Sequence, residues 1–158
     1  MIGIKMRARL GKNSSGFTML ELVVVIVIIG LLGALFISTY AGIQRNQRNQ
    51  TRQSDIQEIY EQLEAYYVVN SKYPTLADIN SSTWVQINMK TLDPNALEDP
   101  SGTSETLVAR PEAGAYAYQV SSTAGTGCND TTTPCAHYTL TATLQDSAEK
   151  TFVKSSLN

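Results

Sequence analysis

Apolar and polar positions divide the chain into zones of different period. Residues 16–36, GFTMLELVVVIVIIGLLGALF, are apolar at nearly every position, and no side chain from Leu22 to Gln44 is charged. A helix that is apolar all round suits a medium that is itself apolar. A hydrocarbon core about 30 Å thick needs about 20 such residues, so the run is long enough to cross it. Glu21 interrupts the run, and a carboxylate at a helix centre costs roughly 2.5–3.5 kcal/mol on insertion scales. Residues 44–55, QRNQRNQTRQSD, reverse the pattern and contain no apolar side chain. Ile56, Ile59/Tyr60, Leu63 and Tyr66/Tyr67 then recur at three-to-four spacing, an amphipathic helical stripe. Glu58, Glu61 and Glu64 lie on the other side, a solvated face. No Pro or Gly falls between Ile43 and Pro74. One helix is therefore predicted from about Phe17 to Asn70.

The helical period stops at Lys72-Tyr73-Pro74-Thr75, because a residue before proline is pushed to extended geometry. Thr75-Leu-Ala-Asp78 reads as a capping box for a short helix, with Asp where Glu or Gln is more usual. Trp84, Ile87, Met89 and Leu92 are expected in a domain core. Asp93-Pro94-Asn95 and Asp99-Pro100-Ser101-Gly102 are turns. The last third has period two. Tyr116, Tyr118 and Val120 alternate with small or polar neighbours, and Tyr138, Leu140, Ala142 and Leu144 alternate with Thr139, Thr141 and Thr143. After a turn at 145–149, Phe152-Val153 opens a third strand. Three sequential strands with short links predict an antiparallel meander with one face on the 56–67 stripe. The fold class is α+β: a long N-terminal helix whose C-terminal half packs on a small antiparallel sheet. Four segments follow, 1–16, 17–43, 44–70 and 71–158.

Charge orients the chain. The sequence has 12 basic and 14 acidic residues, but Lys5, Arg7, Arg9 and Lys12 all precede Gly16 with no acid among them. The positive-inside rule places this leader in the cytoplasm and the remainder outside. That remainder keeps 8 basic against 14 acidic side chains, a net of −6, which does not favour nucleic acid as the main partner. Arg45, Arg48 and Arg52 form a row that could touch lipid phosphates, DNA or acidic neighbours. Its simplest reading is a solvated helix face.

Cys128 and Cys135 with the single His137 do not supply a four-ligand zinc site. In an exported domain a disulfide is the default, and so short a loop gains about 2–3 kcal/mol from it. It would pin the Gly/Thr-rich link 123–134. Asp99, Glu98, Glu105 and Asp130 are too scattered to place a metal site. No Gly-rich phosphate loop, nucleophile–base set or partnered acidic pair is present, so neither an enzyme nor a cofactor is expected. Asn80 and Asn129 begin glycosylation sequons by pattern only.

GFTMLELVVVIVIIG, read after the basic leader, resembles the class III signal of type IV pilins and their relatives. The resemblance implies a pilin fold. It also implies cleavage between Gly16 and Phe17 by a membrane peptidase, N-methylation of Phe17, and Glu21 as the family's assembly glutamate. A carboxylate buried in a filament core is tolerable when paired, and the new Phe17 amine of a neighbouring subunit would pair it. Gly30 and Gly33 are the expected points of helix flexibility. The family's proline some eight residues after Gly30 is replaced by Ser38. The implied partners are copies of the chain in a helical homopolymer, the prepilin peptidase and methylase, an assembly ATPase with its inner-membrane platform protein, and the membrane before assembly. A surface or DNA ligand is a further candidate. The expected roles are adhesion, twitching motility or DNA uptake. The alternatives are a pseudopilin of a type II secretion or competence system, and a signal-anchored binding protein that forms no polymer.

Overall fold

The computed structural model describes residues 16–158 apart from Thr103 and Asp130, and describes no side chain over 35–39. The leader up to Ser15, Asp130 and the side chain of Ser38 therefore lie outside the described residues. The elements are helix α1 (Met19–Asn70), the short helices α2 (Leu76–Ile79) and α3 (Ser82–Asn88), and a 3-10 turn at Pro94–Leu97. Strands β1 (Ala117–Ser121), β2 (His137–Thr143) and β3 (Thr151–Ser155) follow. Two compact units divide the chain, Met1–Tyr40 and Ala41–Asn158.

In the first unit the apolar side chains of α1 point outward on every side: Val24, Ile28 and Leu31 are all exposed, as are their neighbours around the helix. Among the described residues no helix is long and apolar enough to cross a membrane; the side chains over 35–39, inside the expected span 17–43, lie outside the described residues.

In the second unit α1 turns amphipathic as its residue pattern requires. Ile56, Ile59, Leu63 and Tyr66 are buried together with Tyr116, Tyr118, Tyr138, Leu140 and Ala142 of the sheet side. Each fully buried large apolar side chain contributes roughly 1.5–3 kcal/mol, so this seam holds the helix to the sheet. The sheet has order β1-β2-β3 and is antiparallel throughout, with Tyr118 opposite Leu140 and Ala142 opposite Phe152. α1 ends at Ser71, whose φ of 54° is left-handed and whose N–H returns to the Tyr67 carbonyl at 2.7 Å. This is a helix stop without glycine.

The capping box is present: the Thr75 hydroxyl accepts the Asp78 N–H, and the Asp78 carboxylate accepts the Thr75 N–H. Two core expectations need correction. Ile87 is 63% exposed, because α3 buries Val85 and then Met89, one turn apart, and Ile87 faces the opposite way. Trp84 is half-buried, with its ring 5.1 Å from that of Tyr66. Met89 and Leu92 are buried. Gly102 is fixed by contact: a Cβ there would stand 2.1 Å from the Gly114 carbonyl oxygen, so the two backbone segments touch where no side chain fits.

Candidate functional site

The N-terminal junction is built from four residues. Gly16, Phe17 and Thr18 are exposed and outside any helix, and α1 begins at the next residue. Thr18 starts the helix: its Oγ1 accepts the Glu21 N–H at 3.2 Å, and its carbonyl accepts the Leu22 N–H at 3.2 Å. A Thr side chain in this role satisfies one of the orphan donors of the first turn. Glu21 occupies the third helical position, where the helix dipole favours a negative charge. The sequence Thr18-Met-Leu-Glu21 is itself a capping-box pattern. The pattern is local to four residues and is overlaid by the apolar run that follows it. The junction therefore presents the Gly16–Phe17 bond in open, non-helical chain, immediately ahead of a capped helix, and Phe17 is 80% exposed.

Gly30 and Gly33 have nothing within 4 Å of the place a Cβ would take. Among the described residues no neighbour requires them to be glycine. What they offer is a shallow helix surface that a second helix can approach closely.

The head contains buried polar clusters that sequence reasoning did not find. The arginine row is not a uniformly solvated face. Arg52 is 1% exposed and forks onto Asp99 by Nε to Oδ2 at 2.6 Å and Nη2 to Oδ1 at 2.9 Å. Its Nη1 reaches Asn49 Oδ1 at 2.9 Å. The Asp99 bond lifts the Arg52 guanidinium above its ordinary pKa against the opposing effect of burial. Burial alone would raise the Asp99 carboxyl, but hydrogen bonds from Arg52 and Ser101 outweigh it and hold that group below the usual aspartate value. Arg45 pairs with Asp146 at the surface.

Glu64 also leaves the expected solvated face. It accepts the hydroxyls of Tyr73 at 3.1 Å and Tyr138 at 2.8 Å, tying α1 to the helix exit and to β2. Glu58 accepts the Asp93 N–H at 2.7 Å. Asp55 accepts the Tyr116 hydroxyl at 2.6 Å, beside an open cavity of about 370 Å³ lined by Glu58, Asp93, Glu98 and Asp99. Cys128 and Cys135 form a disulfide. His137 Nδ1 lies 2.7 Å from the Asn158 carbonyl oxygen. Among the described residues no group of three or more His, Cys, Asp or Glu side chains is placed to hold a metal ion.

No curated protein and no solved structure matches the chain. Residues 11–37 match the prokaryotic N-terminal methylation motif. That segment contains Gly16, Phe17, Thr18 and Glu21, the residues of the junction, together with Gly30 and Gly33. The chain thus carries the class III signal peptide of type IV pilins and pseudopilins.

Proposed function

We propose that the protein is a structural subunit of a type IV pilus. It is made as a precursor anchored in the membrane by residues 17–43, with its basic leader in the cytoplasm. A prepilin peptidase cuts between Gly16 and Phe17 and the new Phe17 amine is methylated. The processed chain then polymerises through its N-terminal helix into an extracellular filament that serves adhesion, twitching motility or DNA uptake. Its role is structural rather than enzymatic, and an assembly ATPase with its platform protein supplies the work.

The observation that carries this reading is the match over 11–37 to a helix that bares apolar side chains on all sides. Surface of that kind and extent needs a cover. A bilayer supplies one before assembly, and neighbouring helices supply one afterwards. Glu21 is costly in the first medium and can be answered by a neighbour's Phe17 amine in the second, which biases the chain toward the filament. N-terminal sequencing of sheared surface filaments tests the proposal. A methylated Phe17 start is expected, and filaments whose subunits begin at Met1 would refute it. Subunits that are processed at Phe17 but found only in the envelope, never in surface filaments, would point instead to a pseudopilin of a secretion or DNA-uptake machine, which uses the same signal.

A further inference from the structure

One side of the head collects carboxylates from two elements that pack on each other. Asp55 and Glu58 stand one turn apart on α1, and Asp93, Glu98 and Asp99 come from the 93–102 loop. All five line the same cavity. The cation facing them from α1 is Arg52, and it is committed to Asp99 through both of its prongs. From the sheet side comes Tyr116, fully buried, which donates its hydroxyl to Asp55 Oδ2. The loop is seated by the Arg52–Asp99 pair and by the Asp93 N–H on Glu58 Oε1. Between those two attachments sits Asp55, half-buried and facing the charges of Glu58, Asp93 and Asp99, with no salt bridge to it among the described residues.

We propose that this seat is a proton-sensitive clasp: a proton held on Asp55 tightens the 93–102 loop against α1, and loss of that proton loosens it. Burial of a charged carboxylate and like charges facing it across a partly desolvated cavity both oppose closure, and a proton on the central group removes its share of each. The direction agrees with the electrostatics of the site. Burial is the largest influence on Asp55, the Tyr116 hydrogen bond opposes it, and the charges of Glu58, Asp93 and Asp99 add to it, giving a carboxyl raised to about 6. A group whose folded value lies above its unfolded one favours the closed state more as pH falls through about 6. The response therefore falls between about pH 6 and pH 4.

The test uses the full chain in detergent micelles, in buffer free of divalent cations. The Asp55 carboxyl carbon should titrate near pH 6 by NMR. Amide hydrogen exchange over 95–99, corrected for the intrinsic pH dependence, should be about three- to tenfold more protected at pH 5 than at pH 7. Asp55→Asn should abolish that difference. Glu58→Gln keeps the acceptor for Asp93 and removes one charge, so it should move the Asp55 midpoint downward. A wild-type midpoint below pH 5, or an Asp55→Asn protein that keeps the wild-type difference, overturns the proposal. If Asp55→Asn does not fold, the wild-type titration and Glu58→Gln decide the matter alone.

Discussion

Arg52 and Asp99, separated by 47 residues, meet as a two-pronged ion pair in which both side chains are about 1% exposed. The pair joins the polar middle of α1 to a turn that has no regular structure to hold it. Breaking it from one side leaves the other charge buried and unanswered. Arg52→Met or Asp99→Leu alone should cost about 3–5 kcal/mol, and the double variant should recover most of that loss. Urea denaturation of the three proteins measures it. Additive losses in the double variant would show that the two residues act separately.

The same pair sets an acid limit. Asp99 is held below the ordinary aspartate value, which is about 3.9. Its contribution is thus complete above about pH 4 and is lost as pH falls through the lowered folded value. Stability followed by denaturation from pH 5 to pH 2 should drop steeply in the wild type. Asp99→Asn should be less stable at pH 5 and show a shallower fall.

At the N-terminal junction two variants separate capping from assembly. Thr18→Ala removes the acceptor for the Glu21 N–H and should weaken the first turn of α1 by about 1 kcal/mol, seen as faster exchange of the Glu21 amide. Glu21→Ala leaves that cap intact. It should still be cleaved, read as the mass of the membrane-bound chain, yet enter filaments poorly. Normal filaments from Glu21→Ala would remove the pairing role.

Removing the disulfide by Cys128→Ser with Cys135→Ser should cost about 2–3 kcal/mol, measured as a lower denaturation midpoint. The loop itself should keep its turn. Asn129 Oδ1 accepts the N–H groups of Thr131, Thr132 and Thr133 without help from sulfur. Protease nicking of the loop should therefore rise far more in Asn129→Ala with both cysteines replaced than in the cysteine variant alone.

Glu64 supplies one more measurement. Tyr138→Phe removes one of the hydroxyls on a carboxylate that also receives Tyr73. A cost of about 1.5–3 kcal/mol is expected for a bond to a charged group.

Period carried most of the fold. The stripe from Ile56 to Tyr66 and the alternation from Tyr138 to Leu144 each state which side is inward, and the meander follows from their order. What period does not carry is the pairing of polar groups across long stretches of chain. Arg52 sits in a stretch with no apolar residue and looks solvated; only its meeting with Asp99 makes burial affordable. Glu64 lies opposite the stripe by count, yet two tyrosine hydroxyls come to it from the helix exit and from β2. Ile87 failed in the other sense, since a hydrophobic side chain on so short a helix has no period long enough to declare its face. The Gly16–Phe17 junction was legible because its meaning lies in a few adjacent residues, whereas Thr18's cap was equally local and simply stood in the shadow of the apolar run.

The ring closed by Cys128 and Cys135 hangs from a fixed root. Cys135 is fully buried, its carbonyl accepts the Tyr73 N–H at 2.9 Å, and the next amide, Ala136, is bonded to Ser121 at 2.8 Å. Asn129, Thr131, Thr132 and Pro134, beyond that root, are exposed. Because closure entropy grows only with the logarithm of length, doubling such a ring adds about 0.6 kcal/mol. The head can thus accept inserted sequence at this one position, a short tag or a foreign peptide, while the helix–sheet seam beneath it stays as it is.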